Sequence, residues 1–263
     1  NPNLVPHPLP EFFGQSTVPS SVELIVNEQI RLQQYVEPGP YAINALPFIG
    51  GGGVAEVVTT DAQGIQSRQT VNFYVSTELL AKNLLDFDVS LGTRREQFGY
   101  ISNQYGDDLI ASAAARYGLS RYVTPELLFQ YGEGLNLQGV GVTAQLGQLG
   151  VLSLSHTESD YDNKKGKQQT IGYSYQHFAF GMYGRASRRD EYFQDLASIE
   201  TLLPQQYRDL YQAGLTLSNQ YLGSLNVGYV RMNETNVAFP YYVNQSSLIN
   251  APIQRGDYEF ASA

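Results

Sequence analysis

Few residues in this chain have the types and spacing of catalytic or ligand-binding groups, and their surroundings decide how each is read. Gly139-Val140-Gly141-Val142-Thr143-Ala144 fits the G-x-G-x-x-A form of a dinucleotide fingerprint, in which glycines let the backbone approach a pyrophosphate at a helix N-terminus. Here the motif lies inside a run that alternates apolar and polar residues, and no helical periodicity follows. It therefore reads as a strand with glycine on a crowded face. Gly50 to Gly53 have no Lys-Ser or Lys-Thr after them, so they read as a flexible turn and not as a phosphate-binding loop. Asp160-Tyr161-Asp162-Asn163-Lys164-Lys165-Gly166 has carboxylates at calcium-loop spacing, but Lys165 and Ile171 stand where the glycine and the bidentate glutamate belong, which leaves a solvated hairpin turn.

The three histidines, His7, His156 and His177, are remote from one another and have no i, i+4 partner, so no metal site is expected. Ser, His and Asp are all present, but no G-x-S-x-G elbow marks a nucleophile. No catalytic residue, no metal and no cofactor is assigned. What remains are charges at strand ends: Arg94-Arg95, Asp107-Asp108 and Arg188-Arg189-Asp190. Such charges usually mark solvated loops. The functional alternative is that Arg94, Arg95, Arg188, Arg189 and Asp190 are lumen or rim charges that hold a small domain in place, as ion pairs can in a wet pore.

The elements that would carry these charges are all β. The 263 residues hold 20 Tyr, 12 Phe and 25 Gly with no Trp, a mixture that suits pleated sheets. Five prolines in the first twenty residues predict an extended lead-in over 1–20. Residues 21–76 then read as six short strands with close turns, among them Val22-Leu24-Val26 alternating with Glu23 and Ile25, and a turn at Asp61-Ala62-Gln63-Gly64. That spacing predicts a small β-sandwich.

Beyond residue 77 the segments lengthen to about ten residues, and about nine strands are expected between Leu84 and Met232. Leu85, Phe87, Val89 and Leu91 share one face, opposite Asp86, Asp88 and Ser90. Ile171, Tyr173 and Tyr175 oppose Thr170, Ser174 and Gln176, and Ala213, Leu215 and Leu217 oppose Thr216, Ser218 and Gln220. One face is aliphatic and tyrosyl and the other polar, as in a membrane barrel with a wet lumen. Tyr117, Tyr131 and Tyr221 at segment ends suit interfacial girdles. Asp190 to Leu210 breaks the pattern and reads either as a long loop holding a short helix or as an irregular extracellular loop.

Charged residues make up 16% of the chain, against about 25% in soluble domains, which a lipid-facing band explains. A soluble sandwich with a Tyr-rich core has the same periodicity and stays open as an alternative. Net charge is −9, with only 16 Lys and Arg scattered along the chain, which excludes nucleic acid as a partner. The absence of cysteine excludes disulfides and thiolate sites. No stretch has the roughly 20 apolar residues that a membrane-crossing helix needs.

Several motifs taken together resemble a known family. Pro8-Leu9-Pro10-Glu11-Phe12-Phe13-Gly14, Val18 to Asn27 and Val36-Glu37-Pro38-Gly39-Pro40-Tyr41-Ala42-Ile43 are similar to the plug region of chaperone-usher outer-membrane fimbrial ushers. The likeness continues through Asp61 to Gly64, Phe73 to Ser76, Leu79-Leu80, Arg116-Tyr117-Gly118-Leu119, Thr124-Pro125-Glu126 and Tyr192 to Ala197.

The resemblance implies an all-β fold: part of a transmembrane antiparallel β-barrel with an inserted β-sandwich plug domain. On that reading 1–20 is a linker from a preceding barrel strand, 21–76 the plug with Pro38, Gly39, Pro40 and Tyr41 as its motif, and 77–263 a partial barrel with a long loop near 190–210. It further implies a Gram-negative outer-membrane protein, not an enzyme and needing no cofactor. Such a protein receives chaperone-bound pilus subunits, polymerises them and secretes the fibre through a plug-gated pore. The periplasmic and C-terminal domains of such ushers have no counterpart here. About nine tilted strands would also leave two edges that lipid does not tolerate, so the chain is expected to be a piece of a longer one. The rival readings are a general porin or barrel enzyme and a soluble β-rich adhesin module.

Overall fold

The computed structural model describes residues 5–26, 29–44, 50–95, 105–199, 207–219, 223–234, 241–242, 248–249 and 257–262. The first six strands are β1 Glu11–Ser16, β2 Ser20–Val26, β3 Gln29–Val36, β4 Gly39–Asn44, β5 Gly51–Asp61 and β6 Gln66–Val75. They build a two-layer sandwich. β1 pairs antiparallel with β4 in one layer, and β3, β2, β5 and β6 lie side by side in the other.

Alternation creates the core. Val22, Leu24 and Val26 are buried while Glu23 and Ile25 between them are half-buried, because successive residues of a strand point to opposite faces. Phe12 from one layer meets Phe73 from the other edge-on at 6.2 Å, and Ile43, Ala55, Val57 and Val75 complete the cluster. Asp61 closes the β5–β6 turn by accepting the amides of Gln63 and Ile65 on its carboxylate, and Gly64 takes the left-handed φ of +82° that the turn requires. The Asn27-Glu28 turn expected between β2 and β3 lies outside the described residues.

In two places the structure differs from the sequence expectation. The prolines predict a lead-in to residue 20, but Glu11–Ser16 is a strand of the sandwich, because Phe12 has a hydrophobic layer to enter. The glycines at 51 to 53 open β5 instead of forming a flexible turn, and all three are buried.

The second half is a single antiparallel wall. In order it runs β7 Leu85–Arg95, β8 Tyr105–Tyr117, β9 Val123–Gly132, β10 Leu135–Gln145, β11 Val151–Tyr161, β12 Lys164–His177 and β13 Phe180–Arg189. Helix α1 Leu196–Ile199 follows, then β14 Tyr207–Asn219 and β15 Gly223–Glu234. Neighbours in sequence are neighbours in space from β7 to β15. The pairs β16 Tyr241–Tyr242 with β17 Leu248–Ile249, and β18 Asp257–Ser262 with β15, complete the described strands.

Register sorts the side chains of the wall. Leu127, Val140, Leu154, Ile171, Met182, Leu215 and Val227 share one face with Leu85, Phe87, Val89 and Leu91, and all are exposed. Arg116, Glu126, Gln130, Thr143, Ser159, Ser174 and Gln212 share the other, called here the inner face. Tyr117 and Tyr131 lie at strand ends, and Tyr221 lies outside the described residues. The strands are 10 to 14 residues long, which suits tilted membrane strands.

The two ends of the wall differ. At one, β8–β9, β10–β11, β12–β13 and β14–β15 are joined by links of five, five, two and three residues. At the other, the β7–β8 and β13–β14 links take nine and seventeen residues, beside two tight hairpins. The sandwich sits at the end with the uniformly short links, where β5 makes a single parallel bridge, Gly52 to His177, with the end of β12.

Candidate functional site

The site that this architecture builds is the attachment of sandwich to wall. Residues 76–84, between β6 and β7, hold it. Ser76 Oγ accepts the Glu78 amide at 3.1 Å, and Leu79 and Leu80 are buried. The Leu80 amide donates to Thr124 Oγ1 at 3.0 Å, so the fully buried threonine is satisfied by the linker backbone. The Asn83 amide donates to Gly118 O at 2.7 Å and the Gly118 amide to Leu84 O at 2.8 Å, and Ala81 N donates to Pro6 O at 2.7 Å, which brings the chain entering the sandwich beside the chain leaving it. Gly118 permits this crossing: a Cβ there would stand 1.9 Å from the Ala81 carbonyl oxygen.

A polar network on the inner face grips the same linker. Arg116 on β8 pairs with Glu126 on β9 at 3.1 Å, Thr143 on β10 donates to the same carboxylate at 3.2 Å, and the other arm of Arg116 donates to the Glu78 carbonyl. The Glu78 carboxylate in turn accepts from Ser174 Oγ on β12. Arg116 and Glu126 are each about one-third exposed, so the pair contributes modestly to stability and chiefly fixes geometry. Glu11 on β1 adds a second tie, at 2.8 Å to Arg121, and its carboxylate holds that guanidinium above its ordinary pKa.

The residues singled out from sequence fall elsewhere. Pro40 and Tyr41 lie in β4 opposite Gln15 and Gly14 of β1, with Gly39 starting the strand and Pro38 just before it. Tyr41 shares a hydrogen bond with Thr59 of β5 at 2.8 Å, so this motif ties the two layers of the sandwich together. Arg94 and Arg95 end β7; their side chains lie outside the described residues.

Arg188, Arg189 and Asp190 lie at the opposite end of the wall from the sandwich. Gln168, which faces Arg189, is eight residues from Gln176, or about 26 Å along the strand. Arg188 lies 3.8 Å from Asp209 and is 67% exposed. Arg189 is 17% exposed; it donates to Gln168, lies 3.6 Å from Asp195 and stacks over Phe193 at 5.2 Å. The Asp190 amide donates to Lys167 O, and its carbonyl accepts the Phe193 amide.

These bonds fold residues 190–199 back against the wall. Phe193 is buried with Leu135 and Leu137, and Leu128, Tyr161, Leu196 and Ile199 pack around them. Asp195 caps α1 by accepting the Ser198 amide at 2.7 Å, and the Leu196 amide donates to Gln130 Oε1. The loop with a short helix expected at 190–210 is present here over its first ten residues, and 200–206 lie outside the described residues. Among the described residues, no hydrogen bond or ion pair joins this loop to the sandwich.

Gly139 and Gly141 lie on the inner face of β10, where a Cβ at Gly139 would stand 2.9 Å from Thr157 Oγ1, and a strand follows them instead of a helix. The acidic segment at 160–166 forms a two-residue hairpin, with Asp162 and Asn163 at φ of 49° and 63°.

Sequence reasoning passed over Glu78 and named Arg116, Thr124, Glu126 and Ser174 only as motif or polar-face residues, without a role in holding the sandwich. The Arg116–Glu126 pair was recoverable, since a β8–β9 turn centred on Arg121 places the two residues opposite each other on the polar face. Nothing local marks Ser174 as a partner of Glu78, 96 residues away.

Comparison with known proteins fits this arrangement. The family described as outer membrane usher protein matches residues 16–180. The chain is 23% identical over 157 residues to the F1 capsule-anchoring protein of Yersinia pestis, which covers 60% of this chain and 18% of that one. It is 26% identical over 180 residues to the outer membrane usher protein AggC of Escherichia coli, covering 65% and 21%. The chain thus spans about a fifth of the length of the curated relatives it matches.

Among solved structures, the translocation pore of the P pilus usher PapC aligns over 98% of this chain and 51% of that one, with a TM-score of 0.50 at 17% identity. A cryo-EM structure of an E. coli P pilus tip assembly intermediate, PapC-PapD-PapK-PapG, aligns over 98% and 35% with a TM-score of 0.58, also at 17% identity. These likenesses bear on the fold, which is that of part of a usher β-barrel with an inserted sandwich. With more than half of its residues matched by the family, the chain belongs to the outer membrane usher proteins.

Proposed function

We propose that this chain is the plug domain and part of the barrel wall of a fimbrial usher, a non-enzymatic pore of the Gram-negative outer membrane. It would receive chaperone-bound pilus subunits and secrete the assembled fibre. The observation that carries the reading is the attachment itself: the chain enters and leaves a compact sandwich at one point, Pro6 against Ala81, beside a wall of strands with one apolar and one polar face. A soluble module would leave Leu85, Phe87, Val89 and Leu91 facing water in one continuous patch, whereas lipid covers it.

Membrane barrels have short periplasmic turns and longer outer loops, which puts the sandwich at the periplasmic end and Arg188, Arg189 and Asp190 at the outer mouth as rim charges. No residue is given a catalytic role. The reading is tested in the complete protein by deleting residues 11–76 and recording single-channel conductance in planar bilayers. A larger, steadily open conductance is expected; conductance equal to the parent's would count against gating by the sandwich.

A further inference from the structure

We propose that Gly51 and Gly52 of β5 form a backbone seam that seats the sandwich on the rim of the wall, with the Gln176–His177 end of β12 as the receiving edge. The seam deepens the plug reading and rests on it. It assigns the glycine run a task that the linker network does not perform, since the linker only tethers the sandwich, while the seam decides which edge it docks on.

Three independent features converge there. Gly52 makes the parallel bridge to His177 that joins the sheet of the sandwich to the sheet of the wall. Gly51 has a φ of +80°, and a Cβ on it would stand 2.7 Å from the Gln176 carbonyl oxygen; one on Gly52 would lie 3.3 Å from the Tyr74 ring. Gly50, one residue earlier, would meet nothing within 4 Å, so bare backbone is needed where β5 meets β12 and not before.

Tyr74, the β6 partner of Gly52, stacks on Tyr175 at 5.8 Å, and its hydroxyl oxygen accepts the Gln176 amide at 3.2 Å. Burial at this contact raises the Tyr74 phenol above the ordinary tyrosine range, against the opposing pull of the Gln176 amide. Gln145 at the end of β10 and Gln148 in the link after it donate to the Tyr74 and Asn72 carbonyls, so the contact extends to the β10–β11 turn. A single backbone bridge flanked by one stacked pair and a few exposed or part-buried amide bonds is a joint that can open and re-form without disturbing the core of either partner.

The test uses the complete protein in vesicles, without subunits, and a reporter away from the glycines. Cysteines at Asn72 and Gln148, whose parent residues are hydrogen-bonded, are joined by a short bismaleimide. Gly51→Val is expected to lower crosslinking about fivefold or more, the equivalent of about 1 kcal/mol, with the sandwich equally resistant to protease. Gly50→Ala should crosslink like the parent. Tyr74→Ala removes the stack and is expected to lower crosslinking as well. Parent-level crosslinking in Gly51→Val overturns the proposal, and should that variant fail to insert as a folded barrel, parent-level crosslinking in Tyr74→Ala does so. Because the readout is proximity, a protein that crosslinks as expected yet secretes no subunits would overturn the proposed function and leave the seam standing.

Discussion

The sandwich and the wall are written in the same two-residue alternation and bury opposite things. In β2 the apolar set Val22, Leu24 and Val26 is almost wholly shielded by the facing layer, and Glu23 looks outward. In β7 the apolar set Leu85, Phe87, Val89 and Leu91 is 55% to 70% exposed, although its pattern is at least as regular. The difference lies in what stands opposite each sheet. The sandwich is its own solvent for apolar groups, whereas among the described residues no second layer covers the apolar face of the wall, which on the proposed reading lipid would cover. Periodicity therefore assigns faces, and composition of the polar face together with the presence or absence of a facing layer decides what covers the apolar one.

That contrast predicts where substitutions will hurt. Leu24→Ala, in the closed core, is expected to destabilise the sandwich by about 2–5 kcal/mol, the sum of lost transfer energy and a residual cavity, and to appear as protease cleavage within 11–76 while the barrel stays folded. Loss of both together would mean that the two regions form one cooperative unit.

Leu215→Arg tests the wall. Leu215 lies midway along the outer apolar row of β14, between Tyr211 and Asn219, and pairs with Val227. A charge there should cost about 2–4 kcal/mol if the row spans lipid, read from urea titration of the complete barrel in bilayers. Thr216→Arg, one residue on but facing inward, should cost little. Equal costs at the two positions would contradict a lipid-facing band.

How much of this was legible follows from the same physics. Faces, strand spacing and the sandwich-then-wall order are local properties, so Val22-Leu24-Val26 and Ala213-Leu215-Leu217 reveal themselves in sequence. The Gly139 and Asp160 motifs were also decided locally, by the strand pattern around them. The glycines at 51 and 52 were not: turn and close approach have the same local signature, and only the carbonyl of Gln176, more than a hundred residues on, distinguishes them. Strand β1 was missed because the surrounding prolines outweigh a six-residue run whose one deeply buried large side chain, Phe12, needs the distant Phe73 to explain it. Likewise Arg188 to Asp190 read as charges at a strand end, but which end of the barrel they occupy is a matter of global register.

Smaller effects separate the linker from the sandwich. Arg116→Ala removes the partner of Glu126 and a donor to the Glu78 carbonyl, both partly exposed, and should cost about 1–2 kcal/mol. The loss should shrink in high salt, because a partly solvated ion pair is screened. Tyr41→Phe removes only the hydroxyl that meets Thr59 between the two layers and should cost about 0.5–1.5 kcal/mol, with no dependence on salt. Measured in the same urea titration, the pair of variants sets a charged tie on the wall against a neutral tie inside the sandwich. A salt-dependent Tyr41→Phe or a salt-independent Arg116→Ala would mean that the division between a wet inner face and a dry sandwich core is drawn in the wrong place. The expected divergence with ionic strength puts the boundary between the two solvents at the linker, where Leu79 and Leu80 are buried and Glu78 beside them reaches out to Ser174.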